Sequence, residues 1–293
     1  MQITRKQLKR WDACARAVEH FDDKFPSGVA DYQAVLDALA NDNRLLWARW
    51  LLDHAGPDKT AEFKAAEIIG RHNFFFSGSI SVDTKIAISG SLLAGGSIKA
   101  GGSIDVGRGI DTPGGVKTGK SIKAGWSIKT GKNLRAGRDI TAGGGIGVGG
   151  NIEASGSVRA VLSIKAGGSI KAGAGIKAGW GIKAGKNIKA GKNIKTGKGI
   201  KAVRSIEAGG SIETSGSVRA GLRIKAGKNI KTGWDIEAGT NIEADWDITA
   251  DGDIKAGKHI KTGKNIRASQ DITADGGIKA GGSIEAGADF GQD

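Results

Sequence analysis

The chain has one cysteine, one methionine, three prolines and only 5% aromatic residues among its 293 positions. A lone Cys14 excludes a disulfide framework and any cysteine-based zinc cluster, and is the usage expected of a reducing compartment. No apolar run approaches the roughly 18–20 residues needed to cross a bilayer. The N-terminus is basic (Arg5, Lys6, Lys9, Arg10), but Asp12, Arg16 and Glu19 interrupt the stretch that a signal-peptide core would need. A soluble cytoplasmic protein without a transmembrane segment is expected. Chemistry is scarce as well. His20, His54 and His72 form no metal-ligand spacing, no Ser–His–Asp set is evident, and no glycine spacing leads into the Gly-Lys-Ser/Thr of a phosphate loop. The expectation is a non-enzyme with no cofactor and no metal.

Two things are abundant. Fifty glycines are about two and a half times the usual share, a bias typical of repeats. The formal net charge is +14, and it is unevenly placed. Residues 1–75 hold 11 basic and 11 acidic side chains, so the remaining 33 basic and 19 acidic residues carry the whole excess.

Residues 1–75 are expected to form a small helical adaptor or capping domain of three or four helices. Thr4 to Gln7 has capping-box form. Leu8, Trp11, Ala15, Val18 and Phe21 follow at helical spacing as one helix, broken at Phe25–Gly28. Asp31 is placed to cap a second helix carrying Tyr32, Val35, Leu36 and Leu39. Asp42 or Asn43 is placed to cap a third, with Leu45, Leu46, Trp47, Trp50 and Leu51. Phe63, Ala66, Ile68 and Ile69 predict a fourth. Three tryptophans in so small a unit are read as core, and Cys14 as a small buried hydrophobe.

From Ile80 an aliphatic or aromatic residue recurs every sixth position without a slip, through Ile284 to Phe290, giving thirty-six hexads over residues 76–293. The consensus is Ser/Asn/Asp/Gly-Ile-Lys-Ala-Gly-x. The fold class predicted is mainly β: a parallel β-solenoid, or β-helix, behind the small helical domain. Strand alternation sends Ile and Ala to the interior and Lys outward, with Thr118, Thr130 and Thr196 taking the Ala position. The following glycine is expected to supply a positive φ at a tight corner. The position four after Ile holds Lys186, Lys192, Lys198, Trp126 or Trp180, which could not enter a narrow core. Echoes at shifts of 60 and 132 residues are divisible by twelve and not by eighteen. A coil of two hexads, about twelve residues, is therefore expected, with three hexads the alternative.

The Ile-Lys-Ala-Gly run resembles bacterial hexapeptide-type β-solenoids, in particular the polymer-forming cytoskeletal bactofilins. The resemblance is one of pattern. It implies a structural scaffold that polymerises through its coil ends, and it implies self as the first partner.

Two functions follow from the residues. Hexapeptide-type acyltransferases use a catalytic His, but here His259 is the sole His of the repeat and takes a corner position where Ser or Asn is usual. A scaffold self-associating through the solenoid end is favoured. Phe74, Phe75 and Phe76 with the helices would cap the first coil, and Phe290, at an Ile position, is the self-association candidate. The alternative is binding of a polyanion, nucleic acid or an anionic surface, along residues 159–204. That stretch has twelve cations and no acid: Arg159, Lys165, Lys171, Lys177, Lys183, Lys186, Lys189, Lys192, Lys195, Lys198, Lys201 and Arg204. Trp180 lies within it and could stack on bases. A protein partner for the helical domain is also expected, of unknown identity.

Overall fold

The computed structural model describes residues 1–70 and 72–287. The chain divides into two compact units, residues 1–132 and residues 133 onward. The architecture is mainly β: a parallel β-solenoid of about twelve turns built on three parallel sheets, with four helices at the N-terminus.

The first unit opens with strand β1 (Gln2–Thr4) and helices α1 (Arg5–Arg10) and α2 (Ala15–Lys24). Strand β2 (Val29–Asp31), α3 (Tyr32–Asn41) and α4 (Leu45–Ala55) follow, with β1 and β2 paired antiparallel. The Thr4 capping box forms: Gln7 N–H donates to Thr4 Oγ1 at 3.2 Å, and Thr4 N–H donates to Gln7 Oε1 at 2.8 Å. Asp31 caps α3 through Gln33 N–H at 2.8 Å. The single helix expected over residues 8–21 is two, because Asp12 turns the chain with φ at 59°. That break leaves Cys14 exposed as the N-cap of α2, rather than buried. Asn43, at φ 60°, likewise turns the chain before α4, whose N-cap is Arg44. Leu8, Phe21, Tyr32, Leu36, Ala48 and Leu51 form the core, with Trp11, Trp47 and Trp50 packed half-buried at its margin.

No fourth-segment helix follows. Residues 62–76 instead make strands β3 (Glu62–Ala65), β4 (Ile68–Ile69) and β5 (Phe74–Phe76), which are the first coil. Their parallel registers pair Phe63 with Ile80, Ile68 with Ile86, and Phe74 with Leu92. An extended run with apolar residues on an alternating side gains ladder hydrogen bonds from the next coil, which an isolated short helix cannot match. Later strands are nearly all three residues, most of them Ile-x-Ala or Ile-x-Thr with the outer two buried and the middle one facing out.

After the first step on one face, Phe63 to Ile80, which is seventeen, the ladders advance by eighteen residues: Ile104 pairs with Ile122, Ile164 with Ile182 and Ile182 with Ile200. A coil is thus three hexads, not the two expected. Lys and Trp four positions after Ile sit on outward corners, so they place no limit on the core, which Ile and the residue two after it fill. The echoes misled because the three faces are interchangeable: Ser155–Ala160 lies on one sheet and Ser215–Ala220 on another. The solenoid thus has a first, a second and a third face, formed by the strands in the phase of Ile80, Ile86 and Leu92 respectively.

The interior follows the predicted pattern. Ile164, Ile170 and Ile188 are fully buried, and Thr118, Thr130 and Thr196 are buried at the Ala position. Their hydroxyls are satisfied by backbone carbonyls; Thr130 Oγ1 donates to the Lys132 carbonyl at 3.0 Å. The repeat glycine serves a different end from the one expected. Positive φ among the described glycines occurs only at Gly28, Gly56, Gly70 and Gly287. At Gly185, an added Cβ would stand 2.0 Å from the carbonyl oxygen of Gly167, one coil earlier, so close approach is what glycine permits. Corner Asn, Asp and Ser link the coils: Asn151 N–H donates to Asn133 Oδ1 at 2.8 Å, and Ser169 N–H to Asn151 Oδ1 at 2.7 Å.

Candidate interaction surfaces

In the first unit, the third face is covered. The residues after the inward position are outward-facing Phe75 and Leu93, and both join the helical core. Gln33 Nε2 donates to the Phe75 carbonyl at 2.8 Å, and Ser77 N–H donates to Gln33 Oε1 at 3.0 Å. Asn73, buried, donates through Nδ2 to the Ala40 carbonyl at 2.9 Å and accepts from Ser91 N–H at 2.8 Å. Arg49 pairs with Asp111 at 2.5 Å, and burial nevertheless pushes the Asp111 carboxyl above its usual range. The helices therefore dock on the side of the coils rather than over their end. The end is plugged by the chain's own aromatics: Phe63 lies 4.9 Å from Phe74 and 5.8 Å from Phe76, ring centre to centre. Of the three phenylalanines expected to cap the coil, Phe74 and Phe76 do so with Phe63, while Phe75 faces the helices.

In the second unit, the last described coil is open. Nothing among the described residues pairs with the outer edges of Ile272–Ala274, Ile278–Lys279 and Ile284–Ala286. Ile278 and Ile284 stand at core positions yet are 37% and 50% exposed. Phe290 lies outside the described residues.

All twelve cations of 159–204 are exposed, but they do not form one stripe. Because each hexad advances the chain by a third of a coil, consecutive lysines go to different faces. Lys171 and Lys189 lie on the first face, Arg159, Lys177 and Lys195 on the second, and Lys165, Lys183 and Lys201 on the third. Lys186, Lys192, Lys198 and Arg204 occupy corners, where Arg204 N–H donates to the Lys186 carbonyl at 3.1 Å. Acids meet two of the ladders one coil on: Lys189 lies 3.5 Å from Glu207 and Lys195 2.9 Å from Glu213. Glu207 is also bound by Arg223 at 2.5 Å, and that hydrogen bond holds its carboxyl below the usual range. On the third face, Lys165, Lys183, Lys201 and Arg219 follow in register, and the first acids met are Asp235 and Glu237, both at Arg219. Beside this run opens a groove of about 570 Å³.

The corner tryptophans differ in their surroundings. Trp180 lies under Lys198, whose Nζ is 4.8 Å from the ring centre, and Trp126 under Arg108 at 5.5 Å. Trp246 lies between Lys228 and Lys264 at 5.4 and 4.7 Å. Trp234 lines the groove. His259 takes the corner role expected of it: its Nδ1 accepts from Gly277 N–H at 2.9 Å, as an Asn oxygen does elsewhere. His20 instead pairs with Asp42 at 2.7 Å, and hydrogen bonds from His20 and Lys24 hold the Asp42 carboxyl low. Among the described residues no cluster of metal-ligating side chains occurs and no helix is long and apolar enough to cross a membrane.

Sequence comparison bears on the helical region alone. Residues 1–55 match the family described as the YdhT N-terminal domain, and the match ends where α4 ends. No curated protein and no solved structure matches the chain.

Proposed function

We propose that the protein is a non-enzymatic scaffold that self-associates through the end of its solenoid. The observation that supports this most is the open last coil, where three parallel strand edges and the apolar side chains of Ile278 and Ile284 are unpaired among the described residues. Exposed strand edges beside apolar groups are templates for pairing with another chain. A second copy offers the same edges and the same isoleucines, so an isologous dimer would close the surface. The likeness of the repeat to polymer-forming bactofilins favours the same reading, and the exposed thiol of Cys14 suits a cytoplasmic setting. Light scattering with negative-stain microscopy at about 50 and about 500 mM salt tests it. Dimers or longer assemblies at both salts are expected, and a monomer at both would end the proposal.

A second reading is favoured by one specific feature, the third-face run from Lys165 to Arg219, in which three consecutive lysines meet no acid. A solvated β-surface needs charge of either sign, and the other two faces supply both. An unopposed ladder is what a polyanion-binding surface requires. Copurifying nucleic acid, released at high salt and seen as a raised absorbance ratio, is the expected sign.

A further inference from the structure

The groove beside the third-face ladder is more particular than a positive surface. Strands stack about 4.8 Å apart, so Lys165, Lys183, Lys201 and Arg219 place four cations along about 14 Å. Next to them runs the corner column Ser163, Gly181, Gly199, Ser217 and Asp235. Elsewhere this position carries mostly Asn, Ser, Asp or an isolated glycine, as at Asn187, Asn193 and Gly175, without glycine in two successive coils of one column. The two consecutive glycines take side chains away from the groove floor at the point where the lysines are unopposed.

Trp234 stands at one end of the groove and is 66% exposed. One coil before and one after it in the same corner are Gly216 and Gly252, and Gly252 N–H donates to the Trp234 carbonyl. No side chain of that corner column therefore covers its ring, in contrast to Trp180 beneath Lys198 and Trp246 between two lysines. A cationic track beside an uncovered indole is the combination that holds single strands, phosphates on the cations and a base on the ring.

We propose that this groove binds single-stranded nucleic acid, with the phosphates on Lys165, Lys183 and Lys201 and a base stacked on Trp234. The proposal rests on the polyanion reading and sharpens it. A duplex keeps its bases stacked on one another and offers Trp234 none. A sulfated polysaccharide has no aromatic base, and a flat lipid surface does not enter a groove.

The test is fluorescence anisotropy of the full chain with a labelled oligothymidylate of about twelve nucleotides, at about 50 mM salt and upward. A duplex of equal length, heparin, and vesicles containing phosphatidylglycerol serve as comparators. The oligothymidylate is expected to bind more tightly than the duplex. Trp234→Ala is expected to weaken it about tenfold and leave heparin binding unchanged. Substituting Lys165, Lys183 and Lys201 together by Gln should weaken both and reduce the salt slope by about 2. Gly181→Asn with Gly199→Asn, which installs the residue that other corners carry, should weaken the oligothymidylate by filling the floor. If Trp234→Ala changes nothing and heparin competes equally with single strand and duplex, the single-strand proposal falls while the polyanion reading stands. If no polyanion binds at about 50 mM salt, both fall. Binding of the vesicles without the oligothymidylate would overturn the proposal in favour of a lipid surface.

Discussion

The first coil and the last described coil each supply one strand to the same three parallel sheets and are finished in different ways. In the first, Phe63, Phe74 and Phe76 replace the small and branched residues of the interior, and their rings close the mouth at 4.9 to 5.8 Å. Phe74 and Ile68 are buried there. In the last, Ile278 and Ile284 keep the repeat identity, and the same side chain that is fully buried at Ile260 is 37% or 50% exposed. A repeat residue is apolar because a neighbouring coil covers it. At the first coil larger side chains fill the mouth, and at the last described coil the isoleucines stay exposed among the described residues.

Stability measurements sharpen this contrast most. Phe74→Ala opens a cavity in a plugged coil and should cost about 3–5 kcal/mol, read as a lowered denaturation midpoint. Ile284→Ala removes a half-exposed side chain and should cost less than about 1.5 kcal/mol when measured on the monomer. Equal losses at the two sites would break the comparison. A smaller effect is expected at the helical attachment. Asn73→Ala leaves Ser91 N–H without its partner and takes from the Ala40 carbonyl the side-chain donor that ties it to the coil, at about 1–3 kcal/mol.

The smallest effect concerns acid. Glu207 is held low by Arg223, so the folded state binds fewer protons than the unfolded chain below the ordinary value of 4.5. Its contribution is full above that value and is lost as pH falls through the folded one. Glu207→Gln should therefore lower stability by about 0.2–1 kcal/mol at neutral pH and by less in acid, in urea titrations at the two pH values.

The solenoid was legible because one residue type every six positions leaves little choice of period, and strand alternation assigns Ile inward and Lys outward. The coil length was harder, since any hexad fits any face. The corner tryptophans show the ambiguity: Trp126, Trp180 and Trp234 recur at 54 residues, which eighteen divides and twelve does not, while Trp246 follows Trp234 by twelve. The start of the solenoid was obscured for another reason. In residues 62–76 the Ile-Lys-Ala-Gly consensus is absent, and Phe63, Ile68 and Phe74 reveal their role only through pairing with Ile80, Ile86 and Leu92. The cation-rich stretch was visible, but its division among three faces depends on the coil length. The glycine floor at Gly181 and Gly199 becomes visible only when residues eighteen apart are set side by side.

The self-association of the open coil is tested most directly by the molar mass in solution at about 500 mM salt, where charge attraction is screened. Light scattering after size exclusion should give at least twice the mass of one chain for the wild type. The variant carrying Ile278→Lys and Ile284→Lys should give the mass of one, with the β circular-dichroism signal retained. A wild type already at one chain, or a variant that keeps the assembled mass, would contradict the account.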